Sequence, residues 1–211
     1  MDLEQQIGQM LMAGFRGASA ERGHPILRDI AECHLGGVVL FDYDVLLQKS
    51  GRNISSIEQV QNLVSTLQSH AQTPLFASVD QEGGRVRRLK ETLGFPPMPS
   101  ASELGARGDI AETLQASQAT AAALAALGFN LNLAPVVDLN INPKNPIIGA
   151  KGRSFSGEAG IVVDHARAFI AGHHRAGVLC ALKHFPGHGS SAADSHLDLV
   201  DITGSWSRAE L

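Results

Sequence analysis

Lys183 to His196 reads KHFPGHGSSAADSH, a lysine, three histidines and an aspartate strung through Gly, Pro, Ser and Ala. Phe185 precedes Pro186 and is pushed toward extended backbone, while Gly187 and Gly189 permit a sharp turn. Lys183 and His184 therefore belong to a rigid strand end, and His188 and the residues after it to a mobile loop. Asp194 and His196 are two residues apart, so an extended segment puts them on one face. The carboxylate then bonds one imidazole nitrogen and leaves the other aimed at a substrate, which is how an oriented acid/base group is built. His184, His188, Asp194 and His196 also offer nitrogen and oxygen ligands to zinc. Against a metal, HxxxH shares a face only on a helix, and Pro186 with two glycines forbids one there. A merely solvated loop leaves Lys183 and His184 unexplained. The expectation is a catalytic loop with no metal and no cofactor.

Two further stretches carry polar groups that could hold a substrate. Asp80 to Arg88 reads DQEGGRVRR. Gly83 and Gly84 allow a tight turn, Asp80 can accept hydrogen bonds from neighbouring hydroxyls, and Arg88 can pair with an anionic or carbonyl group. Arg85 and Arg87 read as solvated charges. Asn145 to Ser156 reads NPIIGAKGRSFS, where the planar guanidinium of Arg153 can fix a polar substrate group. His173 and His174 fall late in a helix, where capping and solvent exposure account for them.

The elements that must position these residues are short apolar runs alternating with periodic stretches. The runs are Met10 to Phe15, Gly37 to Phe41, Leu75 to Val79, Leu131 to Val137 and Val178 to Leu182. Ile26 to His34, Ser56 to His70, Gly108 to Leu127 and Glu158 to Ala176 repeat apolar residues three or four apart and read as helices. Ser56 with Gln59 is a capping-box pattern, and Gly128 and Gly177 sit at helix stops. FPPMPSAS, from Phe95 to Ser102, reads as a loop. Strand-helix alternation with apolar strands argues for a parallel sheet in an α/β fold. Asp80, Asp138 and Lys183 with His184 each follow a strand directly, which favours a (β/α) TIM-type barrel over a doubly wound sheet. No GxGxxG follows the first strand.

With 44% hydrophobic and 18% charged residues the chain is globular, and 211 residues hold one domain or most of a larger barrel. A net charge of -4 supplies no basic field for nucleic acid. Cys33 and Cys180 lack zinc or CxxC spacing and read as buried thiols of a reducing compartment. The N-terminal MDLEQQIGQMLMAG starts acidic and is interrupted by glycine, unlike a secretory signal, and no segment reaches membrane-span length. The expected location is the cytoplasm.

KHFPGHG followed by DSH, with DQEGGRV, LAPVVDLN and GRSFS in order, resembles glycoside hydrolase family 3. The resemblance is to its bacterial β-N-acetylglucosaminidases (β-hexosaminidases), which release N-acetylglucosamine from muropeptides in peptidoglycan recycling. It covers essentially the whole chain and implies a (β/α) barrel and retaining hydrolysis of a β-linked N-acetylglucosaminide. Carried over by motif, Asp80, Arg88, Arg153, Lys183 and His184 hold the sugar's hydroxyls and N-acetyl group. Asp194 and His196 become the acid/base dyad. The family's nucleophilic aspartate lies on a later strand in an SDD-like motif, which residues 1–211 lack. Five strands are legible where a closed barrel has eight. The expectation is thus a family 3 N-terminal barrel domain over 1–211, incomplete at its C-terminus and completed by further chain or another polypeptide. The expected partner is a small carbohydrate, an N-acetylglucosaminyl muropeptide, with neither nucleic acid nor membrane. Two alternatives stand beside it. One is a β-glucosidase-like hydrolase of the same family, disfavoured because those enzymes carry the acid/base on a separate domain and lack the DSH loop. The other is a non-catalytic amino-sugar-binding fragment or subunit.

Overall fold

The computed structural model describes residues 1–211. In chain order its elements are α1 (Leu3–Gln9), β1 (Met12–Gly14), α2 (Pro25–Glu32), β2 (Gly37–Leu40), β3 (Tyr43–Asp44), β4 (Lys49–Ser50), α3 (Ile57–Ser69) and β5 (Phe76–Val79). There follow β6 (Gln81–Gly83), β7 (Val86–Arg87), α4 (Ala101–Arg107), α5 (Ile110–Ala126), β8 (Leu131–Asn132), α6 (Ala159–Arg175) and β9 (Leu179–Cys180). Each of the five apolar runs contains a strand and each periodic stretch a helix. The chain forms two compact units, the first made of Met1–Asp80, Arg88–Pro96 and Ala123–Asn132, the second of Gln81–Arg87, Pro97–Ala122 and Leu133–Leu211.

In the first unit β1 pairs with β2, β2 with β5 and β5 with β8, all parallel. Val38, Leu40, Ala77 and Val79 are buried, as expected of strands covered on both faces. α3 buries Val60, Leu63, Val64 and Leu67 on one face. Its N-cap Ser56 accepts from the Gln59 amide at 3.1 Å, but the Gln59 side chain accepts from Ser55 N instead, so the capping box is half formed. Gly128, at φ +86°, leaves room for Val64, which would lie 2.9 Å from an added Cβ. Cys33 is exposed, contrary to the expected buried thiol. It is the C-cap of α2, past the turn that buries Ile26, Leu27 and Ile30.

In the second unit β6 and β7 form a small antiparallel ribbon. It turns at Gly83, whose φ of +100° and absent Cβ let Pro99 O pass where a Cβ would lie 2.3 Å away. The end of FPPMPSAS is helical rather than loop: Ser100 and Glu103 form a full capping box that starts α4 at Ala101. The run after Asn132 leaves the strand ladder as it approaches Pro135, which has no N–H to give, and only Val136 bridges to Lys183.

α5 and α6 pack closely because Gly172 carries no side chain; a Cβ there would lie 2.4 Å from Ser117 Oγ. Two α6 histidines use that proximity. His165 Nδ1 lies 2.8 Å from Thr113 Oγ1, and His173 Nδ1 lies 2.8 Å from Ser117 Oγ. His173 also stacks on Phe169 with ring centroids 4.3 Å apart. The expected exposure of His173 is therefore wrong, since the residue is fully buried, while its neighbour His174 is exposed. The reason is helical register: Val162, Ala166, Phe169 and His173 share the buried face. Burial pushes the His173 pKa down to about 4, against the opposing pull of the Phe169 carbonyl, which can accept a hydrogen bond from Nδ1, and burial lowers that of His165 too. Burial likewise pushes the Cys180 thiol up to about 12.

Candidate active site

The charges of the second unit converge on Glu82. Its carboxylate is almost fully buried and takes Arg153 in a fork, Nε to Oε2 at 2.7 Å and Nη2 to Oε1 at 2.8 Å. Lys183 Nζ joins Oε1 at 2.7 Å. A buried carboxylate is tolerable only with partners of this quality. Glu82 is held by the β6–β7 ribbon, and Lys183 by the bridge to Val136, with its carbonyl accepting from Val137 N at 2.8 Å. Arg153 is placed by its loop: Arg153 N donates to Ile148 O at 3.0 Å. That loop is organised by buried Asn145, whose Oδ1 accepts from the amides of Ile147 and Ile148, both at 2.8 Å.

His184 extends the network. Arg153 Nη2 lies 3.2 Å from its Nε2, and Asp138 Oδ2 lies 2.6 Å from its Nδ1. A guanidinium only donates, so Nε2 accepts and the ring proton sits on Nδ1, facing Asp138. Burial alone would raise the Asp138 pKa, but hydrogen bonds from the His184 ring and the His188 amide outweigh it and hold the carboxyl below its ordinary value. With the amides of His184 at 3.3 Å and His188 at 2.8 Å on Oδ1, Asp138 is an anchor rather than an attacking group. The Lys183–His184 peptide is cis, as are Ala134–Pro135 and Phe185–Pro186.

Beyond His184 the loop divides into a fixed base and an exposed tip. At the base, a Cβ on Gly189 would lie 1.6 Å from Leu139 O, so backbone packs directly on backbone. Asn145 Nδ2 donates to His188 O at 2.8 Å and Ser191 O at 2.9 Å, and Asn142 Nδ2 donates to Ser191 O at 3.0 Å. At the tip, His196 Nδ1 lies 2.7 Å from Asp194 Oδ1, and the His196 amide donates to the same oxygen at 2.9 Å. These two bonds hold the Asp194 carboxyl below the usual carboxylate range. The His196 side chain is 74% exposed, and Nε2 is the nitrogen left for chemistry.

The first unit carries its own charged group. Asp80, directly after β5, meets Arg88 at 3.3 Å, and Asp42, two residues past the end of β2, meets Arg88 at 3.8 Å and Lys90 at 2.6 Å. Arg88 also lies over the Phe41 ring at 5.9 Å. The structure thus joins the expected residues in three sets: Arg153, Lys183 and His184; Asp80 and Arg88; Asp194 and His196. Sequence reasoning passed over Glu82 and Asp42. Asp42 follows GVVLF as Asp80 follows LFASV, so the strand-end signal was there to read; Glu82 stands inside a quoted motif beside two glycines. No group of three or more His, Cys, Asp or Glu side chains gathers as a metal site, and no helix is long and apolar enough to cross a membrane.

Residues 2–209 match the Glycosyl hydrolase family 3 N terminal domain. The chain belongs to glycosyl hydrolase family 3. It is 37% identical over 220 residues to "Beta-hexosaminidase A" of Pseudoalteromonas piscicida, covering 94% of this chain and 35% of that protein. It is also 37% identical over 201 residues to the "Beta-hexosaminidase" of Tolumonas auensis, covering 88% of this chain and 56% of that one. The solved glycoside hydrolase family 3 β-N-acetylglucosaminidase from Paenibacillus sp. str. FPU-7 superposes with a TM-score of 0.83 at 39% identity, over 93% of this chain and 35% of that structure. The chain thus spans between about a third and just over half the length of these relatives. The family's N-terminal domain is a (β/α) barrel, and the parallel strands and helices of this chain are its N-terminal part.

Proposed function

We propose that the chain is the sugar-binding and acid/base part of a retaining β-N-acetylglucosaminidase, which removes terminal β-linked N-acetylglucosamine from muropeptides in cytoplasmic peptidoglycan recycling. The observation that carries this reading is the Asp194–His196 pair, closed at 2.7 Å with the far ring nitrogen exposed. The β-hexosaminidase names of the relatives support it. In the proposed reaction an aspartate outside residues 1–211 attacks the anomeric carbon while protonated His196 gives its Nε2 proton to the leaving oxygen. Water then cleaves the glycosyl ester and returns a proton to Nε2. Asp194 fixes the ring through Nδ1 and stabilises imidazolium. Carried over by motif, Asp80, Arg88, Arg153, Lys183 and His184 are assigned to the sugar's hydroxyls and N-acetyl group. Glu82 keeps the Arg153 and Lys183 cations in place.

Hydrolysis of a chromogenic β-N-acetylglucosaminide by the full-length protein tests the reading. His196→Ala should cut kcat by about 10²–10⁴-fold, whereas Lys183→Ala should chiefly raise KM. Activity should survive exhaustive chelation. Turnover unchanged in His196→Ala overturns the dyad, and N-acetylglucosamine binding without turnover by the wild type selects the non-catalytic amino-sugar binder. Faster release from a muropeptide than from a chitin disaccharide is the expected preference.

A further inference from the structure

Ser195 stands between the two members of the proposed dyad, and its Oγ lies 3.0 Å from His188 Nε2. His188 belongs to the fixed base of the loop: its amide donates to Asp138 Oδ1 at 2.8 Å, and its carbonyl accepts from Asn145 at 2.8 Å. Because Asn145 Oδ1 is taken by the Ile147 and Ile148 amides, the NH₂ end faces His188, with Nδ2 3.4 Å from His188 Nδ1. Nδ1 is therefore the accepting side, and Nε2–H points at Ser195. A buried amide thus fixes the tautomer of one histidine, and that histidine reaches the tip of the loop that bears another. His188 does not touch the Asp194–His196 pair itself.

We propose that His188 is a positioning residue for the Asp194–His196 pair, acting through Ser195. This deepens the acid/base assignment above and rests on it. One solvent-accessible hydrogen bond of this kind shifts an equilibrium by about 2-fold to 10-fold. His188→Ala and Ser195→Ala should each lower kcat by about that factor at unchanged KM. The double variant should lose no more than either single one, since both remove the same bond. His188→Gln, which keeps a donor at similar reach, should restore part of the loss. Amide hydrogen exchange at His196, measured on the full-length protein, gives a readout that needs no turnover: both single variants should speed it by the same factor. Ser195 is exposed, so Ser195→Ala keeps the test valid if His188→Ala fails to fold. Losses that add in the double variant, or exchange at His196 that does not respond to Ser195→Ala, overturn the proposal. A wild type without turnover whose exchange still responds to both variants rejects the enzyme reading and leaves the His188–Ser195 linkage standing as loop anchoring only, which overturns the positioning role.

Discussion

Two parts of the second unit handle charge in opposite ways. Around Glu82 a buried carboxylate is tied to two cations, one through a fork, and the ring of His184 is locked between Arg153 and Asp138. At the loop tip, Asp194 and His196 hold each other and little else, with the imidazole in solvent. Under the proposed assignment of these residues, the difference is a division of labour. Groups that recognise a sugar gain from being fixed before it arrives, because ordering has already been met in folding. A proton donor that must reach in after the substrate gains from weak attachment.

The largest blow to this contrast is Glu82→Ala, which leaves two cations in a buried place without their acid. Loss of one member of such a buried set costs about 3–5 kcal/mol, read as a lower urea midpoint. A loss below about 1 kcal/mol would make the network no firmer than a surface ion pair. Next comes acid. The folded His173 pKa is about 4 against an ordinary 6.5, so the unfolded chain binds the extra proton first. Stability from keeping His173 neutral is complete above pH 6.5 and is lost as pH falls toward 4, by about 3 kcal/mol. His173→Gln should flatten that part of the profile. The smallest effect is expected at the tip: His196→Ala should change stability by less than about 0.5 kcal/mol, the behaviour of an exposed side chain. A larger loss would show that the dyad loop is part of the core after all.

Much of this contrast was legible in the sequence. Pro186, Gly187 and Gly189 marked the turn that follows Lys183 and His184, although β9 itself ends earlier, at Cys180, and the two-residue spacing of Asp194 and His196 anticipated the pair that forms. The places of the strands along the chain were legible because buried parallel strands leave unbroken apolar runs. Glu82 was not, since a carboxylate in a glycine-rich turn looks solvated until Arg153, 71 positions away in the chain, is seen to reach it. His173 was misjudged because a helix-end position argues for exposure, while the 3.6-residue register with Phe169 decides otherwise. Asn145 was hidden in ordinary loop composition; its importance lies in carbonyls supplied by a segment more than forty residues later.

The two asparagines that grip Ser191 set a limit on travel. With that residue pinned, His196 is on a tether of five residues, which at full stretch of about 3.3–3.6 Å each reaches roughly 17 Å. Any sugar that the ring protonates must lie within that radius plus the length of the histidine side chain, and lengthening the chain between Ser191 and His196 by one glycine would widen the sphere while leaving its centre where it is.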